Sequence, residues 1–167
     1  RKIFERASAA ARIGVWECTL DGEELTWTDV VYDLYDLPRG SALDRAAILG
    51  LYTPASRKVL EATRSRAIAE TGGFSLDTEI VTGKGNRRWI RITATVECEG
   101  GRAARIFGMK QDITEEKNLA DRTRYLAAFD AMTGLANRQT FEAALARWDD
   151  QATAGKPRAG ALLLIDL

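Results

Sequence analysis

From Ile13 the chain alternates with a period of two, so that Trp16, Cys18 and Leu20 point one way and Val15, Glu17 and Thr19 the other. Asp21-Gly22 supplies a turn, and Glu24 to Trp27 reads as the returning strand of a hairpin. Ahead of it, Ile3, Phe4, Ala7 and Ala11 share one helical face, which predicts a short amphipathic helix over residues 1–12. Thr28 is placed to cap a helix carrying Val31, Leu34 and Tyr35, which must stop near Leu37 because Pro38 follows. Leu43 to Tyr52 reads as one or two broken turns. Thr53-Pro54 then opens a longer helix through Val59, Leu60, Thr63, Ala67 and Ile68 that ends at Gly72-Gly73.

Three strands follow. Phe74, Leu76 and Ile80 alternate with Ser75, Asp77 and Glu79, and beyond Gly83-Lys84-Gly85-Asn86 the residues Ile90, Ile92, Ala94, Val96 and Cys98 alternate with Arg91, Thr93 and Thr95. After Gly100-Gly101, Arg102 to Gln111 forms the last strand. The order strand-strand, helices, then three strands predicts an α+β fold: a five-stranded, mainly antiparallel sheet with helices on one face. Matching apolar faces opposes Ile80 to Ile90 and sets Glu79 across from Arg91, an exposed ion pair worth about 0–1 kcal/mol. Without a following helix and a Lys-Ser/Thr pair, Gly83-x-Gly85 is a hairpin turn rather than a phosphate loop, with Arg87 and Arg88 in a solvated turn.

Composition narrows the chemistry. The 24 basic and 24 acidic residues among 167 balance, so no strongly basic nucleic-acid face is expected. No run approaches the roughly 18 apolar residues of a membrane span. The chain lacks histidine, which excludes His-ligated haem, His-rich zinc sites and a Ser-His-Asp triad within it. Cys18 and Cys98 match no metal spacing, which suits a reduced, cytoplasmic setting. Arg1 in place of Met, with no signal pattern after it, predicts a piece cut from a longer protein.

At Asp112-Ile113-Thr114-Glu115 the sheet meets a helix, with Asp112 and Glu115 spaced as a capping box and Thr114 as an alternative cap. This D-I-T-E exit, with Trp16, Trp27-Thr28-Asp29 and Gly85-Asn86-Arg87-Arg88-Trp89-Ile90, resembles a PAS sensor domain over residues 13–114, followed by a signalling helix over 115–129. The resemblance implies a signal-coupling role for Asp112, Ile113, Thr114 and Glu115. It also implies that Trp16, Cys18, Trp27, Tyr32, Tyr35, Tyr52, Phe74 and Ile80 either line a small-molecule cavity, for an unknown ligand, or simply fill the core. A light-reactive flavin cysteine needs a different local motif, so Cys18 reads as a small buried hydrophobe.

Asp130-Ala131-Met132-Thr133-Gly134-Leu135-Ala136-Asn137-Arg138 resembles the D-x-L-T-G-L-x-N-R opening of GGDEF domains, the diguanylate cyclases, with Met132 where leucine is usual. Gly134 permits a tight turn, and Asn137 caps a helix carrying Phe141, Leu145 and Trp148. A polar linker, Asp149 to Gly160, leads to a buried strand broken by one carboxylate, Asp166, and such a carboxylate invites either a divalent cation or an escape to solvent. The resemblance implies that Asp166 holds Mg²⁺ beside the triphosphate of GTP. It makes residues 130–167 the truncated start of an α/β domain that lacks its catalytic loop and is inert alone. Leu119 and Leu126, seven residues apart with Ala120 and Ala127 beside them, form a two-heptad seam. The helix either pairs in a homodimer, together with the N-terminal helix, or lies alone against its own sheet; the dimer is expected, because a cyclase joining two GTP needs two subunits facing each other. The implied whole is a sensor and dimerisation module controlling a cyclase that makes cyclic di-GMP. The alternative is a binding module attached to a degenerate GGDEF domain or to a cyclic di-GMP phosphodiesterase.

Overall fold

The structure, a computed structural model, describes residue 8 and residues 10–153. Of the helix expected over residues 1–12, residues 1–7 and 9 lie outside them, and Ala11 and Arg12 form a turn; the strand carrying Asp166 lies entirely outside. Five strands occur: β1 (Ile13–Thr19), β2 (Leu25–Trp27), β3 (Gly73–Val81), β4 (Arg87–Glu99) and β5 (Arg102–Asp112). They form one antiparallel sheet in the order β2-β1-β5-β4-β3, with the first and last strands side by side at its centre. Between β2 and β3 lie α1 (Asp29–Leu34), α2 (Arg45–Leu49) and α3 (Pro54–Ala69). After the sheet come α4 (Thr114–Ala128) and α5 (Arg138–Thr153). The chain divides into two compact units after Lys117.

In the first unit, one face of each strand packs under α1 to α3. Trp16 and Cys18 from β1, Leu34 from α1, Ile80 from β3, Ile92 from β4 and Ile106 from β5 are all buried, so hydrophobic burial holds the layers together. The Thr28 hydroxyl, at the start of α1, makes no capping bond. It accepts from the Val15 N–H at 3.0 Å and donates to the Val15 carbonyl, fastening the helix to β1. Thr53 does cap α3, accepting from the Ser56 N–H, with Pro54 in the first turn. That helix stops at Ala69, short of the expected glycines. Thr71 takes the left-handed conformation (φ 49°), and the Gly72 N–H donates back to the Ala67 carbonyl.

The β3–β4 register differs from the expectation by two residues. Ile80 faces Arg88, Thr78 faces Ile90, and Asp77 rather than Glu79 faces Arg91. Side-chain alternation repeats every two residues, so a two-residue slip keeps every apolar group on its face and the pattern cannot detect it. The turn decides instead. The Thr82 N–H donates to Asn86 and the Gly85 N–H to Thr82, with Gly85 at φ 83°, which closes the ladder at Val81–Arg87. At the other end a bulge between Glu97 and Cys98 breaks the β4–β5 register, and Cys98, expected inward, is exposed.

Arg88 is no solvated turn residue. It donates to the carbonyls of Asp33 and Leu34 at the end of α1 and pairs with Asp36 at 2.9 Å. Burial would raise the Asp36 carboxyl, but hydrogen bonds from Thr82, Asn86 and Arg88 outweigh it and hold the group below the usual carboxylate range.

In the second unit the Asp130–Arg138 stretch folds on itself. One Asp130 carboxylate oxygen accepts from the N–H of Met132 and from the N–H and hydroxyl of Thr133, and those bonds lower its pKa. Gly134 sits at φ 70° and Leu135 is exposed. Asn137 accepts from the Thr140 N–H as the cap of α5 and donates to the Ala127 carbonyl. Arg138 pairs with Glu142 one turn on. The helix runs on to Thr153, past Asp149, the expected start of a linker.

Candidate functional site: a cavity around a buried lysine

Strand β5 turns Ile106, Gly108 and Lys110 toward the helices. Lys110 is 5% exposed, and among the described residues no carboxylate pairs with it. Its ammonium nitrogen donates to the hydroxyls of Tyr35 at 3.0 Å and Tyr52 at 3.3 Å, and the two hydroxyls bond each other. It also lies 4.6 to 6.0 Å from the ring centres of Trp16, Trp27, Tyr35 and Tyr52, where ring quadrupoles favour a cation. Burial still pushes the amine down to about 7. Burial likewise raises Tyr35, Tyr52 and Cys18, the last against the opposing charge of Arg64.

Lys110 forms one wall of a cavity of about 60 Å³ between sheet and helices. Of the residues expected to line a ligand site, Trp16, Cys18, Trp27, Tyr52 and Phe74 do so; Tyr32, Tyr35 and Ile80 are buried elsewhere in the core. Sequence reasoning missed Lys110, Arg45 and Arg64, which also line it. The inward parity of Ile106 on β5 was the available signal for Lys110.

A second constellation surrounds the end of the sheet. The buried Asp112 carboxylate pairs with Arg12 at 2.7 Å and accepts the Thr114 N–H at 2.9 Å. Arg12, at φ 51°, leads into β1, and its carbonyl takes the Asp112 N–H. The expected capping box with Glu115 therefore does not form. Ile113 is buried, its N–H on the Trp89 carbonyl, and the Thr114 hydroxyl accepts the Trp89 N–H instead of capping α4. Glu115 is exposed; Glu116 and Lys117 make the contacts. Asp77 binds Arg91 at 2.8 Å and Lys117 at 2.8 Å, and Arg91 reaches Glu116. The Arg91 hydrogen bonds, against some burial cost, hold the Asp77 carboxyl below its usual range, and Lys117 adds to the effect. Lys117 also stands 5.1 Å from the Trp89 ring centre. The Asp112 carboxylate thus joins the start of β1, the end of β5 and the first turn of α4.

This is the fold of PAS-type sensor domains. A sensory box histidine kinase/response regulator from Burkholderia thailandensis E264 superposes with a TM-score of 0.59 at 17% identity, covering 72% of this chain and 92% of its own. The N-terminal domain of a diguanylate cyclase with PAS/PAC sensor from Marinobacter aquaeolei gives 0.59 at 16% identity, covering 63% of this chain and 98% of its own. In sequence, the probable diguanylate cyclase DgcE of Escherichia coli (strain K12) is 25% identical over 122 residues, which is 71% of this chain and 11% of that protein. The chain thus spans about a ninth of the length of that relative. No family model matches the chain. Among the described residues no helix is long and apolar enough to cross a membrane.

Proposed function

We propose that this chain is the sensory and dimerisation segment of a longer cytoplasmic protein whose C-terminal domain joins two GTP into cyclic di-GMP. The observation that carries the reading is the Asp112 junction, where one buried carboxylate ties the start of β1 and the end of β5 to the first turn of α4. A change in the sensor that shifts either strand alters the start of α4, and a signal acts through the free-energy difference between two such arrangements. The likeness to DgcE and to the Marinobacter sensor supports a cyclase output. So does the self-bonded turn from Asp130 to Asn137, which carries the side chains of the D-x-L-T-G-L-x-N-R resemblance.

Leu119 and Leu126 on α4 are 59% and 46% exposed. Pairing of two such helices across this seam would cover them and bring two cyclase domains together, which a reaction between two GTP requires. Asp166 lies outside the described residues, and among those described no group of three His, Cys, Asp or Glu gathers to hold a metal ion. The GGDEF resemblance gives the Mg²⁺ role to Asp166, where the cation would stabilise charge at the transferring phosphoryl group. The test is turnover of GTP with Mg²⁺ by the longer protein. Cyclic di-GMP should form and should vanish in Asp166→Asn. Absence of product from the intact protein, or near-normal turnover in the variant, contradicts the reading.

A further inference from the structure

Residues that line the cavity carry hydrogen-bond donors without an acceptor among the described residues. Trp16 and Trp27 both line it, both are 7% exposed, and neither indole N–H meets an acceptor among the described residues. Leaving a buried donor unpaired costs about 1–3 kcal/mol, so two on one cavity point to something that accepts from them. An ammonium has three hydrogens, and Lys110 spends two on the tyrosines, which leaves a third. Among the described residues, Arg45 and Arg64 complete a set of three cationic side chains on the wall, and no carboxylate lines it. Glu23, outside the lining, pairs with both arginines at 3.6 and 3.3 Å, and their partial exposure marks the solvent end. The remaining wall is apolar, chiefly Leu25, Ile48, Leu49, Leu60 and Ile92.

We infer that the cavity binds a short-chain monocarboxylate, its oxygens accepting from the Trp16 and Trp27 indoles and from Lys110, and its alkyl end against the leucines and isoleucines. A carboxylate offers about four acceptor positions on two oxygens, enough for all three donors. A cavity of about 60 Å³ holds only a few waters, each needing about 10–15 Å³ of such accessible space, which suits a small aliphatic acid rather than an aromatic one. A fully charged inorganic oxyanion would leave the apolar wall unused. The inference rests on the sensor reading of this cavity and names its ligand class.

Binding should also depend on pH, because a carboxylate pairs with the protonated lysine. Burial raises Cys18, Tyr35 and Tyr52, the other titratable groups facing Lys110, so they stay neutral at pH 6.5 to 8.5. Arg45 and Arg64 also line the cavity, and Glu23 pairs with both. With the Lys110 amine near 7, the affinity falls as pH rises.

The test uses the 167-residue chain labelled with ¹⁵N, titrated at pH 6.5 with acetate and propionate, then with acetamide and propionamide, at constant ionic strength set by chloride. The indole N–H resonances of Trp16 and Trp27 should move with the acids and not with the amides, while that of Trp89, which does not line the cavity, stays still. Affinity should fall tenfold or more at pH 8.5, and by a similar factor in Lys110→Met. Because that substitution could disturb the core, Trp27→Phe is the second variant: it removes one donor, keeps the ring, and should weaken the acids several-fold. Equal shifts with acids and amides, or no indole shift with either acid at tens of millimolar, overturn the inference. So does undiminished affinity in a folded Lys110→Met. None of these readouts involves cyclase output, so failure of the ligand class and failure of the cyclase reading are separately visible.

Discussion

Lys110 carries the largest electrostatic liability in the sensor unit, a buried amine among four aromatic rings without a counter-ion. Its folded-state pKa of about 7 lies below the ordinary lysine value of 10.5. Between those two values the unfolded chain binds the proton and the folded chain does not, so stability rises with pH across that window and is flat below it. Urea midpoints should therefore increase from pH 7 to pH 9, and Lys110→Met should be more stable than the natural chain at pH 6 and lose the slope. An unchanged slope in the variant would remove Lys110 as its cause. Gly108, next but one along β5, is constrained differently: a Cβ there would clash with the Thr93 carbonyl oxygen of β4. Backbone cannot step aside as a flexible side chain can, so Gly108→Ala should cost about 2–3 kcal/mol by denaturant unfolding, and a loss below 0.5 kcal/mol would contradict that contact. Trp16 and Cys18 were legible from alternation alone. Lys110 was not, because a lysine is read as surface unless the partners that surround it are known, and those come from Tyr35, Tyr52 and Trp27, far away in sequence.

At the scale of elements, all five strands and the helices between them followed from period and turn residues, and their ends moved by only a few positions. The β3–β4 register escaped because its determinant is the hydrogen bonding of the Thr82–Asn86 turn, which apolar matching does not see. That slip has a consequence. It brings Asp77, rather than Glu79, opposite Arg91 and so into reach of Lys117 in the first turn of α4. Glu79 pairs with Arg87 instead. Asp77→Ala should leave the sheet intact but free Arg91 and Lys117. Amide hydrogen exchange should then quicken at residues 115–117 by about tenfold while β4 and β5 stay protected. Uniform exchange across all three regions would mean that the clamp does not act on α4. The same carboxylate, held below its usual pKa, adds stability above the ordinary aspartate range that is lost as pH falls through its lowered value.

For the whole molecule, the sensor fold could be inferred from sequence because its order of elements and its D-I-T-E exit are local signals. The mechanics of that exit were only half visible. Asp112 stands where expected, yet its partner is Arg12, one hundred residues earlier, and no spacing rule links the two. The lysine-centred cavity and the Asp112 junction both hang on β5, the central strand. Occupancy at Lys110 and geometry at Asp112 are two residues apart on that strand, a short path for coupling. The most direct measurement is the rate of cyclic di-GMP formation by the longer protein with and without Asp112→Ala, alongside the melting temperature of its sensor unit. The account predicts a rate altered several-fold and no longer responsive to a cavity ligand, with the sensor still folded. An unaltered rate and an unaltered response in a folded variant would contradict it.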